Sequence, residues 1–286
     1  MRTVAALTGV LLIVWTLREV FRDLFHPSAS GSLSDFVARM LFNLMRRWAS
    51  VLPAAGPVAL LSVIACWVFL IALGFALVFW ASTSSRFVVQ NQQATFGFGP
   101  MFYFSLEALT TLGLGDYLPN AMLVRILAVL EALIGFSIVT ASISAIVLFY
   151  RGLGRMRSFA RRLSALRRVE VMTGIRTEEW IDEKTLRELA SETMRVRVDL
   201  SHFPIVYYFA SRDRDSALSS TLPYLKELEL RYENNIDKRL HAASTMLRLA
   251  LSDLADLLRS RFVQAADGED VFECYAEHHR TRQAEI

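Results

Sequence analysis

The sequence predicts a mainly α protein: membrane helices with a re-entrant helix and loop in the first half, and a mainly helical domain outside the membrane in the second. Three observations carry that reading. More than half of the 286 residues are apolar, and mean hydropathy is positive, which is unusual for a water-soluble chain. The apolar residues crowd into the first half while most of the charge falls in the second. Finally, two membrane-length apolar runs bracket the stretch EALTTLGLGDYLPN, Glu107 to Asn120, in which Gly113 and Gly115 stand among threonines, leucines and an aspartate.

The first run, Ala54 to Ser82, holds no charge at all. A helix of about 20 apolar residues crosses a bilayer's hydrocarbon core, so this run spans with some tilt. Trp80 lies near its end, where an interfacial anchor belongs. The second run, Ala121 to Tyr150, is nearly as apolar, interrupted by Arg125 and Glu131. At the N-terminus, Val4 to Leu17 is apolar but short. Read on to Phe25, it forms an additional membrane helix, residues 1–25, with Arg18 and Arg22 at its charged end. A signal peptide is disfavoured because no small-residue cleavage site follows the apolar core. Residues 33–53 place Phe36, Met40, Leu41, Leu44 and Met45 at helical spacing, with Arg39, Arg46 and Arg47 elsewhere. That pattern predicts an amphipathic helix on the membrane surface, ahead of a helix packed in the polar half.

Orientation follows from the arginines. They cluster at Arg18, Arg22, Arg39, Arg46 and Arg47, and again from Arg151 to Arg168, whereas the loop between the long runs has only Arg86, with Arg125 at its edge. The positive-inside rule puts the C-terminal half in the cytoplasm, the glycine loop outside and Met1 outside.

Within the loop, Pro100 marks a helix start and Met101 to Thr110 are apolar or small enough, Glu107 apart, to dip into the membrane. Open backbone in hydrocarbon costs several kcal/mol per unsatisfied group, so the glycine segment after it must line a cavity. Gly113 and Gly115 supply backbone conformations that residues with a Cβ disfavour. The carbonyls of Thr111, Leu112, Gly113 and Leu114 then face inward, with the Leu112 and Leu114 side chains outward against the re-entrant helix.

These residues resemble the selectivity filter of potassium channels. TTLGLGD matches at Thr111, Leu112, Gly113, Leu114 and Gly115, with Thr110 before and Asp116 after. Leu114 departs from the commoner tyrosine, as in the second pore loops of two-pore-domain potassium channels. The chain as a whole is similar to two-transmembrane-type, single-pore-loop prokaryotic potassium channels over residues 54–150. That resemblance implies an outer helix, pore helix, filter and inner helix. It also implies four copies around one axis, because the chain has one filter motif. Gly135 matches the inner-helix hinge, Glu107 and Asp116 a carboxylate pair behind the filter, and Tyr103 and Phe104 an aromatic cuff. Carrying over the pore-facing register gives Phe136, Val139, Ile143 and Val147, with Ile143 and Val147 nearest the cytoplasm. Glu131 is expected to bond to the pore helix rather than to gate.

Residues 151–286 predict a cytoplasmic, mainly helical domain. The basic run Arg151–Arg168 suits anionic lipid or simple positive-inside anchoring, and nucleic acid is disfavoured. GLG at Gly152 to Gly154 looks like a helix start, SHFPIVYYFAS like a short buried helix or strand capped by Ser201, and Leu222 to Phe262 like one long helical run with Pro223 near its first turn. No GxGxxG follows a strand, and no catalytic triad, paired catalytic carboxylates or P-loop appears, so neither a nucleotide-sensing domain nor an enzyme is expected. Cys66 and Cys274 lie too far apart in kind and place for a disulfide framework. Cys274 and His278, four residues apart, are a weak zinc pair. The sequence therefore predicts a potassium channel with K+ as permeant ion, no cofactor, membrane lipid and copies of itself as partners, and a prokaryotic plasma-membrane location. A non-selective or sodium-permeable channel and a non-conducting receptor or scaffold are the alternatives. The cytoplasmic ligand is not legible.

Overall fold

A computed structural model describes residues 1–25, 32–45, 54–82, 86–89, 96–209, 211, 213–232, 237–263 and 269–279. They form nine helices and one two-stranded hairpin: α1 (Arg2–Phe25), α2 (Ser32–Met45), α3 (Ala55–Ser82), β1 (Phe87–Val89), α4 (Phe98–Leu109), β2 (Tyr117–Pro119), α5 (Met122–Thr173), α6 (Glu183–His202), α7 (Leu218–Tyr232), α8 (Lys238–Arg261) and α9 (Val271–His279). The chain divides into two units, residues 1–34 with 61–147, and residues 35–60 with 148–286.

In the first unit α1, α3 and α5 are each long and apolar enough to cross a membrane. Helix α1 meets α3 at two glycines. A Cβ on Gly9 would lie 2.5 Å from the Gly74 carbonyl oxygen, and one on Gly74 would lie 2.6 Å from Ile13. Small residues of this kind let membrane helices approach backbone to backbone. Aromatic rings fix α4 between its neighbours: Phe104 packs edge-on against Phe79 of α3 and Phe87 of β1, both at 5.1 Å between ring centroids. Phe104 is thus a core residue that anchors α4. Strands β1 and β2 pair antiparallel, Phe87 with Pro119 and Val89 with Tyr117.

The second unit is helical. Helix α6 packs along α8, burying Leu186, Leu189, Val196 and Leu200 on one side and Leu247, Leu251, Leu254 and Leu258 on the other. This is the apolar stripe expected of amphipathic helices. Asp182 starts α6 by accepting the Thr185 N–H at 2.9 Å, the usual role of an N-cap carboxylate. At the other end of α7, burial pushes the Tyr232 hydroxyl up to about 12, so it stays a donor to the Thr177 and Ile181 carbonyls.

Several expectations change here. Gly152 to Gly154 lie inside α5, which runs unbroken to Thr173 and ends at Gly174 (φ +70). The expected single helix from Leu222 to Phe262 is two helices, α7 and α8, and Pro223 lies inside α7. Ser201 belongs to α6 and caps nothing; the following Pro204–Tyr208 is a buried 3-10 turn. The amphipathic helix expected over 33–53 is described only to Met45, and Arg46 and Arg47 lie outside the described residues. Within it Phe42 is fully buried, packed on Tyr207, Tyr208, His278 and His279. Helix α2 is therefore seated in the helical unit, while Phe36, Met40 and Leu44 stay exposed.

Candidate pore loop

The re-entrant segment is built from α4 and the seven residues after it. Helix α4 starts at Phe98, with Pro100 in its first turn, where a missing N–H costs nothing. It ends at Thr110, whose hydroxyl donates to the Leu106 carbonyl at 2.7 Å. The Thr111 N–H still reaches Ala108 and the Leu112 N–H reaches the Glu107 carbonyl, both at 3.0 Å. Helical geometry stops there.

Beyond that point every second residue turns left-handed. Thr111, Gly113 and Gly115 have φ of +57°, +63° and +84°. Among the described residues Thr111 is the one non-glycine with positive φ. Alternating handedness turns successive peptide planes the same way, which is how a backbone presents a row of carbonyl oxygens to an ion. The glycines sit where L-residues with a Cβ are disfavoured.

Two carboxylates hold this segment from different sides. Glu107, buried on the pore helix, accepts the Gly115 N–H on Oε1 at 2.8 Å. Asp116 accepts the Tyr103 hydroxyl at 3.0 Å. The expected Glu107–Asp116 pair is thus replaced by two separate ties, because each carboxylate finds a nearer donor. Tyr103 reaches the loop through its hydroxyl. The exit is clamped as well: the Asn120 N–H donates to the Arg86 carbonyl at 2.7 Å and Arg125 Nε to the Pro119 carbonyl at 2.8 Å. Sequence reading missed the β1–β2 clamp, since three-residue strands carry no readable alternation.

Leu112 and Leu114 are 64% and 58% exposed. The expectation that they pack on their own pore helix does not hold within one chain.

Behind the filter, Ser105 ties three helices together. Its hydroxyl faces the Ala72 carbonyl of α3 at 2.8 Å and the Glu131 carboxylate of α5. Glu131 is fully buried and bonds the pore helix as expected. One turn on, Gly135 touches the pore helix's end, where an added Cβ would collide with the Leu109 carbonyl oxygen. Close packing therefore accounts for this glycine, and it sits in an unbroken helix. Phe136, Val139, Ile143 and Val147 are all exposed along one face of α5.

The basic run after the span is largely occupied. Arg155 forks onto Asp199 at 2.5 and 3.1 Å, Arg162 meets Glu188 at 2.6 Å and Glu192 at 3.3 Å, and Arg168 meets Asp215 at 2.6 Å. Arg151, Arg157 and Arg167 lie exposed in the same run. The weak zinc pair is corrected. His278 Nδ1 shares a 2.6 Å hydrogen bond with the Tyr207 hydroxyl, and Cys274 faces Glu269. Among the described residues no three His, Cys, Asp or Glu side chains are grouped to hold a metal.

Residues 63–151 match a family model described as an ion channel. Over that segment the resemblance to two-transmembrane, pore-loop channels is borne out. The chain is also similar to a Bacillus subtilis (strain 168) protein described as the uncharacterized membrane protein YdjJ, at 22% identity over 261 residues, covering 87% of this chain and 74% of that protein. No solved structure matches.

Proposed function

We propose that the chain is a potassium-selective channel, passing K+ passively through a homotetrameric pore whose inner helices and cytoplasmic domain set opening. The carrying observation is the alternation of left-handed backbone at Thr111, Gly113 and Gly115, on a segment that carries the ion-channel pattern. Carbonyls of Thr111, Leu112, Gly113 and Leu114, with the Thr111 hydroxyl, replace the water shell of K+. Four copies complete the ring, and the exposed Leu112 and Leu114 are then covered by neighbouring copies. Ile143 and Val147 form the apolar constriction that gates by dewetting. The protein sits in the plasma membrane of a prokaryote with residues 151–286 in the cytoplasm, binds lipid, needs no cofactor and catalyses no reaction.

The test is flux and reversal potential in liposomes of purified protein, with Gly115→Ala as the diagnostic variant. The parent should pass K+ over Na+, and Gly115→Ala should insert normally yet lose K+ flux. Equal K+ and Na+ permeability would make it a non-selective channel. No flux from the parent would leave a receptor or scaffold.

A further inference from the structure

The segment Phe203–Phe209, between α6 and α7, touches α2, the first turn of α3 and the middle of α5. Tyr207 and Tyr208 hold Phe42 of α2. Phe203 meets Phe149 of α5 at 6.3 Å between centroids. Phe209 reaches furthest: its ring lies 6.0 Å from Phe149 and 5.9 Å from Tyr150. On its other side the same ring rests on Gly56, in the first turn of α3, so closely that a Cβ there would enter the ring. On the helix-bundle side Tyr207 stacks on Phe262 at 4.3 Å and 7°. One short aromatic segment therefore joins the helix bundle to the start of α3 and to the middle of α5, the two helices that flank the pore loop and run on through residues 61–82 and 122–147.

We propose that Phe209 is the joint by which the cytoplasmic helical unit acts on the pore helices, with Gly56 as its socket. It is a positioning residue and touches no ion. The physical basis is the fit. A rigid aromatic ring wedged between α3 and α5 has few alternative placements, and packed cores respond to displacement by switching arrangement rather than by yielding gradually. Shifting Phe203–Phe209 moves α5 at Phe149 and Tyr150 relative to the start of α3, and the Val147 constriction lies two residues before Phe149. The glycine is required by space, because any side chain at residue 56 expels the ring.

This proposal rests on the channel reading, and its experiment separates the two. Full-length protein in liposomes is compared as parent, Gly56→Ala, Phe209→Ala, Phe209→Leu and the double variant Gly56→Ala/Phe209→Ala. Leu249→Ala, at an exposed site on α8, serves as the control. Allosteric couplings of this kind correspond to roughly 2- to 30-fold changes. Each substitution at the joint should change K+ efflux by that much with the K+/Na+ reversal potential unmoved. The double variant should add little to Phe209→Ala alone, because the new methyl no longer meets a ring. Phe209→Leu, which keeps apolar bulk and folding, should fall between parent and Phe209→Ala. A conducting parent whose joint variants leave efflux unchanged, or combine additively, overturns the joint alone. A shifted reversal potential also overturns it, since that places the effect in the filter. A parent without flux overturns the channel reading and the joint together.

Discussion

The two halves of α5 are one unbroken helix with opposite arrangements of side chains. From Met122 to Val147 most exposed positions are apolar, among them Val129, Leu133, Phe136, Val139 and Ile143, and the exposed Ser137, Thr140 and Ser144 turn their hydroxyls back onto the helix's own carbonyls, while Glu131 and Ser142 are buried. From Leu148 to Thr173 the apolar residues Leu153, Met156, Phe159 and Leu163 are buried, and exposed arginines reach carboxylates of α6 and the 3-10 turn Arg214–Ser216. The inversion is what a single helix shows when its halves face different solvents. Lipid tails accept leucine and valine outward and force polar atoms to find partners inside; water does the reverse. The two halves should therefore respond differently to the same kind of change.

The largest effect should come from the polar group in the lipid-facing half. Glu131→Ala leaves a cavity and removes the tie between α5 and the pore helix, costing about 2–4 kcal/mol, whereas Glu131→Gln brings an amide donor to the Ser105 hydroxyl and keeps the joint. Thermal unfolding of both variants in detergent would show it, and equal destabilisation would break the comparison. In the water-facing half Asp199→Asn weakens the fork from Arg155. Asp199 is buried but the guanidinium is half exposed, so about 1–2 kcal/mol is expected after solvent screening. That loss should shrink in high salt, while the Glu131 loss should not.

A smaller change probes the exposed apolar face of the first half. Ile143→Ser or Val147→Ser should raise basal K+ leak about fivefold, equivalent to about 1 kcal/mol, with selectivity unchanged. Unaltered leak in both would place the constriction elsewhere and leave that face to lipid. The smallest effect belongs to the exposed arginines: Arg157→Gln should change stability by less than about 0.5 kcal/mol and show itself only as weaker retention on anionic vesicles. A loss as large as that of Asp199→Asn would mean that Arg157 has a structural partner.

What could be read from the sequence tracks how local each requirement is. The left-handed loop was legible because the backbone itself demands particular residue types at Gly113 and Gly115, two positions apart. The three spans were legible from composition alone. The bond from Glu131 to the pore helix followed from the scarcity of partners in hydrocarbon. By contrast, Glu107 and Asp116 invited pairing by proximity in sequence, yet the choice between each other and the donors at Gly115 and Tyr103 is made by geometry that no spacing records. The arginines of α5 looked free for lipid because their partners lie 26 to 47 residues away. Helix α2 looked like a surface helix because its exposed stripe at Phe36, Met40 and Leu44 is visible in the pattern, while the seat for Phe42 is assembled from two distant parts of the chain, at Tyr207–Tyr208 and His278–His279.

Thr111 gives the loop a conditional shape. A branched residue with φ of +57° sits about 1–2 kcal/mol above its preferred backbone, and it stays there only while its surroundings insist. Those surroundings are the last turn of α4, the Glu107 tie, the Asp116 tie to Tyr103 and the clamp at Asn120. The rest position of the free segment is therefore elsewhere, and the loop behaves like a bent spring held by four pins. Loosening any pin lets Thr111 fall back toward its preferred backbone without a helix moving.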